Sequence, residues 1–198
     1  MRRGLRNTTL LISAWIVLFA PCKASATTLT FEDLPDLTDV NDFYAAQGIH
    51  FANAISLTAG FSLNEFDYPP SSGVVVVGDS GGPLRLVFDA PANNVFAHFT
   101  HGSALTFTAY SDKSFLSPIG TFSPVGNSNL GASTLINVPF ANFESLQMSV
   151  AIQGTLTIDD LNFRLSPNGA SVPEPSTLLL LSSGVFVTLR GLRQRAAR

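Results

Sequence analysis

Leu105-Thr106-Phe107-Thr108-Ala109-Tyr110 alternates without a break. Side chains of an extended chain point to opposite faces in turn. Leu105, Phe107 and Ala109 therefore share one face, and Thr106, Thr108 and Tyr110 share the other. This is the pattern of a half-buried β-strand. Short β-branched and aromatic runs of the same kind surround it, at 29–32, 48–51, 56–58, 74–77, 84–88, 95–100, 119–122, 134–138, 145–152 and 155–165. Glycine, proline, asparagine and serine separate them, as in Pro69-Pro70-Ser71-Ser72-Gly73 and Gly126-Asn127-Ser128-Asn129. No long segment repeats the 3-4 spacing of a helix; one helical turn is expected at 39–46, ended by Gln47-Gly48. Many short strands at this spacing predict an all-β fold, an antiparallel β-sandwich or jelly roll. Sixteen phenylalanines supply its core, with Phe31, Phe51, Phe88, Phe96, Phe107 and Phe163 expected inside.

Charge is segregated along the chain. Residues 27–171 hold three basic against thirteen acidic residues, a formal charge of −10. Eight of the eleven Lys and Arg lie instead in residues 1–26 and 190–198. An acidic body without a basic patch argues against nucleic-acid binding, which needs clustered Lys and Arg for the phosphates. Divalent cations are its natural counter-ions.

The two ends read as an address. Met1-Arg2-Arg3-Gly4-Leu5-Arg6 is a basic start, residues 10–20 are apolar, and Ala24-Ser25-Ala26 is a small-x-small cleavage site. These are the parts of a secretory signal peptide over 1–26, which implies the Sec export machinery and signal peptidase as partners. Its removal takes Cys22, the single cysteine, so that no disulfide or thiol chemistry is left. Residues 166–171, SPNGAS, read as a linker. After it, Val172-Pro173-Glu174-Pro175 is hostile to helix because its two prolines fix φ and remove donors. Residues 177–189 carry no charge, and Arg190, Arg193, Arg195 and Arg198 follow. Seventeen helical residues from 176 to 192 would reach roughly 25 Å, the low edge of a membrane span. A single transmembrane helix is thus expected at about 177–192, with its arginines cytoplasmic and the body outside.

Proline motif, apolar run and arginine cluster resemble the PEP-CTERM sorting signal of exported bacterial proteins, over 172–198. Val172, Pro173, Glu174, Pro175 and Thr177 stand where that family has VPEPxT. The resemblance implies exosortase, a membrane-embedded protease-transpeptidase, as partner. It also implies a protein anchored in the membrane before processing and placed at the cell surface or in the extracellular matrix afterwards.

The body, 27–165, is similar to ectodomains of such proteins. There an N-E-x-x-x-P-P-x-S-G segment, here Asn64 to Gly73, leads into a strand and a glycine-rich turn. Those ectodomains are similar to galactose-binding-like jelly rolls found in carbohydrate-binding modules, which implies extracellular polysaccharide as a partner. Sugar-stacking platforms are limited to Tyr44, Tyr68, Tyr110 and exposed phenylalanines, since Trp15 leaves with the signal peptide. In jelly rolls of this kind first and last strands pair, and carboxylates near them hold a structural Ca²⁺. The resemblance assigns that role to Glu32, Asp33, Asp159 and Asp160, oxygen ligands suited to a hard cation. Strict alternation lets at most one of Asp159 and Asp160 face inward.

His98 and His101, three apart in a strand, are expected on opposite faces, which disfavours a shared zinc site. Gly78-Asp79-Ser80-Gly81-Gly82 resembles the surroundings of a trypsin-like nucleophile, but such an enzyme needs a histidine and an aspartate upstream in order. A hairpin turn between 74–77 and 84–88 is the expectation for GDSGGP. The function expected is a non-catalytic exported surface or matrix protein. The alternative is an extracellular hydrolase acting on polysaccharide or peptide, with two carboxylates facing one another across a cleft.

Overall fold

The computed structural model describes residues 26–166. Cys22, Val172, Pro173, Glu174, Pro175, Thr177 and the expected membrane helix lie outside them, as do the signal peptide except Ala26 and the linker except Ser166. No helix among the described residues is long and apolar enough to cross a membrane.

The body is all-β. Ten strands follow one another: β1 (Ala26–Leu29), β2 (Ile49–Ala52), β3 (Ala54–Thr58), β4 (Val75–Asp79), β5 (Leu84–His101), β6 (Leu105–Tyr110), β7 (Pro118–Phe122), β8 (Thr134–Asn137), β9 (Phe143–Val150) and β10 (Leu156–Leu165). Every strand pair is antiparallel.

The two expected strands at 84–88 and 95–100 are one, β5, and it serves both layers of the sandwich. Its first half pairs with β2 and β9, and β9 continues to β6 and β7. Its second half pairs with β10 and β8, and β10 continues to β4 and β3, with β1 alongside its other end. The corner shows in the burial pattern. Leu84, Leu86, Phe88, Ala90 and Ala92 are buried, then Val95, Ala97 and Phe99. Inward positions pass from even to odd numbers around Asn94, whose φ is 51°. An inserted residue of this kind moves every later side chain to the other face. Phe96 is therefore half-exposed rather than buried, and Phe99 takes the core place. Phe31, Phe51, Phe88, Phe107 and Phe163 are buried as expected, and Phe143 joins them.

Aromatic contacts close the sandwich. Phe88 meets Phe143 at 5.7 Å and Phe163 of the facing layer at 5.4 Å, and Phe99 meets Phe107 edge to face at 5.2 Å. Each such ring contributes about 1.5–3 kcal/mol by leaving water.

Three local expectations are corrected. β1 lies three residues before the expected strand, since Phe31 at φ 63° leaves the extended region. The helical turn shrinks to a 3-10 turn at Ala45–Gln47, stopped by Gly48 at φ 80°, while Asp39 bridges to Ile55 of β3. GDSGGP is not a hairpin. Both sides of β4 are taken by β3 and β10, so residues 80–83 carry the chain across to the other layer.

Candidate functional site

The proline-rich loop between β3 and β4 is held by carboxylates far away in sequence, two from β10 and one from the turn after β1. Ser71 and Ser72 donate backbone N–H to Asp159 Oδ2 at 2.7 and 2.9 Å. Asp160 donates its own N–H to Asp159 Oδ1 at 2.7 Å, and its carboxylate accepts the Ser72 hydroxyl at 2.8 Å. Val74 and Val75 donate N–H to Glu32 Oε1 at 3.0 and 2.9 Å. Gly73, at φ 54°, lies so close that a Cβ there would collide with the Glu32 carboxylate.

β10 breaks its alternation here. Its pairing with β5 shifts between Asp159 and Asn162, and Asp160 sits at φ 51°. This bulge lets the neighbouring carboxylates of Asp159 and Asp160 reach the same residue, Ser72, which strict alternation forbids. Asp159 is only 2 % exposed. Burial pushes its carboxyl above the ordinary value, against the N–H donors from Ser72, Ser71 and Asp160, while the Asp160 charge adds to the rise.

Asp33 belongs to a neighbouring cleft. Its Oδ1 accepts the Tyr44 hydroxyl at 2.5 Å. Thr28, Leu29, Thr30, Glu32, Tyr44 and Gln47 line the same open space with it, about 470 Å³ in volume. Tyr44 is 2 % exposed, so it is no stacking platform. Burial, and then the Asp33 carboxylate, push its phenol well above the ordinary value. Of the expected calcium set, Glu32, Asp159 and Asp160 thus converge on one loop, while Asp33 turns to Tyr44. Among the described residues no group of three or more His, Cys, Asp or Glu is placed where it could hold a metal ion.

Asp79 of the GDSGG segment is buried and accepts two N–H groups, Gly154 at 2.7 Å and Leu156 at 2.8 Å. It fastens the turn before β10. Ser80 is exposed, and its N–H donates to the Asn53 carbonyl. The histidines are engaged elsewhere. His50 lies between Asp42 at 2.7 Å and Asp89 at 3.3 Å, and the Asp42 bond leads in raising its imidazole above the ordinary value. His101 is buried with Nδ1 on the Ser103 carbonyl at 2.9 Å, while His98 Nδ1 is buried without a partner.

A different surface gathers polar side chains that sequence reasoning left scattered. Register across β2, β5, β9, β6 and β7 puts Ala52, Arg85, Gln147, Thr108 and Thr121 in one row. His50, Val87, Ser145 and Tyr110 form the next. Arg85 Nε donates to Gln147 Oε1 at 3.0 Å, and its guanidinium lies 4.7 Å from the Phe115 ring. Tyr110 meets that ring edge to face at 5.3 Å. Gln147 Nε2 donates to Ser149 Oγ at 3.2 Å. The alternation of 105–110 foretold that Tyr110 shares a face with Thr108; the Arg85–Gln147 pair beside them joins residues 62 apart.

Among solved structures the chain is similar to a point mutant of CBM29-2, a family 29 carbohydrate-binding module. Identity is 12 %, over 72 % of this chain and 93 % of that one, with a TM-score of 0.37. Another mutant of the module, complexed with cellulohexaose, matches with the same figures. The C-terminal CBM6 of LamC, a marine laminarinase from Zobellia galactanivorans, is 19 % identical over 57 % of this chain and 99 % of that one, with a TM-score of 0.26. No curated protein matches the chain. The PEP-CTERM protein-sorting motif matches residues 171–196, over the proline motif, apolar run and arginines. The chain therefore carries the PEP-CTERM protein-sorting signal, the mark of an exported protein addressed to exosortase and to the cell surface or beyond.

Proposed function

We propose that the chain is a surface or matrix protein whose β-sandwich body is non-catalytic and holds extracellular polysaccharide on the outer face of the β5–β9–β6 layer. The sorting motif at 171–196 carries the reading, since it sets where the body works. Val172, Pro173, Glu174, Pro175 and Thr177 are the residues exosortase would read. Signal peptidase and Sec would deliver the chain, and the helix at about 177–192 would hold it in the membrane until processing. The row through Arg85, Gln147 and Thr108 supports the sugar assignment. It offers guanidinium, amide and hydroxyl groups that donate and accept hydrogen bonds as sugar hydroxyls require, beside the Phe115 ring.

A calcium ion on Glu32, Asp33, Asp159 and Asp160 is a separate proposal. The charge of −10 over 27–171 supports it. Against it stand the N–H and O–H donors those carboxylates already accept. Melting in millimolar Ca²⁺ and in EDTA decides it, because a ligand of the native state alone adds about 2.7 kcal/mol at a hundredfold excess over its Kd.

The main test has two arms. Mass of the protein from hosts with and without exosortase should differ at the C-terminus, and Glu174→Ala should leave the precursor in membranes; equal C-termini refute the address. A glycan array probed with the full chain should show binding that Arg85→Ala and Gln147→Ala abolish. Binding unchanged in both variants refutes the assigned face.

A further inference from the structure

Residues 114–143 contain no Asp, Glu, Lys, Arg or His, thirty positions without a titratable side chain. The surrounding body is strongly acidic, at −10 over 27–171. This stretch holds β7 and β8. β7 is the last strand of its layer and pairs with β6 alone among the described strands. The outer margins of β2 and β3, at the other ends of the two layers, are bonded by the chain: Leu37 and Val40 bond along β3, and Phe51 of β2 bonds Asn41. Proteins commonly protect an open edge with charge, because its free N–H and C=O groups invite another strand. Pro118, at the first position of β7, is the protection visible here. Exposed apolar side chains gather around the edge. Leu116 is 81 % exposed and Ile119 48 %, and Val125 is fully exposed. Phe140, just after β8, packs against Gly120 of β7, so two parts of the uncharged stretch adjoin.

We propose that the β7 edge is a self-association surface, where a second copy of this chain pairs strand to strand. Electrostatics selects the partner. A cationic partner would be drawn to the acidic faces, not to this one. Two bodies carrying −10 each over 27–171 repel at close range within a screening length of about 8–10 Å. Approach through the 114–143 stretch, with Asp112 at its margin bonded to the N–H groups of Ser114, Leu116 and Ser117, keeps most of their carboxylates apart. An open strand also needs a backbone ladder opposite it, which another polypeptide supplies. Pairing of β7 with β7 is antiparallel and isologous, so the contact closes on itself as a two-fold dimer.

Sedimentation velocity of the full chain in mild detergent, from about 1 to 100 μM, tests this. The wild type should form dimers, strengthened when salt screens the residual repulsion. Ile119→Glu puts two like charges at the contact and should raise the dissociation constant at least tenfold. Leu116→Glu, in the exposed loop before β7, should weaken it too and serves where Ile119→Glu melts early. Phe61→Ser, on the exposed loop after β3, should change nothing, and association through the membrane segment would survive all three variants. A monomer at every concentration overturns the proposal. So does a dimer that ignores both glutamates, one weakened equally by Phe61→Ser, or a monomer whose β7 edge takes up polysaccharide instead.

Discussion

Asp79→Ala should loosen the turn before β10 and lower the stability of the sandwich. The carboxylate is 6 % exposed and accepts N–H from Gly154 at 2.7 Å and Leu156 at 2.8 Å. A hydrogen bond to a charged group contributes about 1.5–3 kcal/mol, and leaving a buried donor unpaired adds to the loss. The Leu156 bond is fully buried, so that N–H has no water to turn to. Gly154 sits in a turn, where water can replace part of what is lost. The expected cost is therefore about 3–5 kcal/mol, a large share of the 5–15 kcal/mol that holds a typical domain. At roughly 3–5 °C per kcal/mol for a body of this size, the melting temperature should fall by about 10–20 °C. Asp79→Asn keeps one acceptor but turns an amide N–H₂ toward a donor, and should lose about half as much. Ser80→Ala removes an exposed hydroxyl and should stay within about 0.5 kcal/mol. Urea melts of the three variants measure the series. A loss below about 1 kcal/mol for Asp79→Ala would refute the assigned role. So would labelling of wild type, but not Ser80→Ala, by a serine-directed activity probe, since that makes the segment catalytic.

Gly73→Ala should cost about 2–4 kcal/mol in a chemical melt, from left-handed strain and displacement of the Glu32 carboxylate off the Val74 and Val75 N–H groups; a neutral result would show that the clasp is slack. His50 has its imidazole raised by Asp42 first and Asp89 next, so its stabilisation is fully present below about pH 6.5 and is lost as pH rises through the higher folded value. The pairs are largely exposed and contribute under about 1 kcal/mol. His50→Gln should remove that loss between pH 6 and 8, and an unchanged pH profile would discount the pairs. Asp159 runs the other way. Its folded value lies above the unfolded one, so the buried charge costs stability at neutral pH, and the cost is relieved as pH falls through the folded value. Wild type should accordingly gain on Asp159→Asn as melts move from pH 7 toward 4.5, and a constant gap would place the titration elsewhere.

Much of this protein was legible as sequence because its signals are local. Alternation from Leu105 to Tyr110 survives unchanged as β6, since period-two burial needs no knowledge of the partner strand. The same holds for the PEP-CTERM motif, whose prolines, apolar run and arginines are contiguous. Tertiary structure alone decided what depends on partners. The bulges at Asn94 and Asp160 reversed the inward parity of β5 and β10, sending Phe96 outward and both Asp159 and Asp160 to Ser72. Neither bulge has a period of its own to read. GDSGGP looked like a turn between neighbours and proved to be a crossing, because β3 and β10 already occupied β4. Asp159 and Ser71 are 88 residues apart, and Arg85 and Gln147 are 62. Contacts at such separations come into being only when strands are set side by side, and composition and spacing along a chain carry no record of which strands those will be.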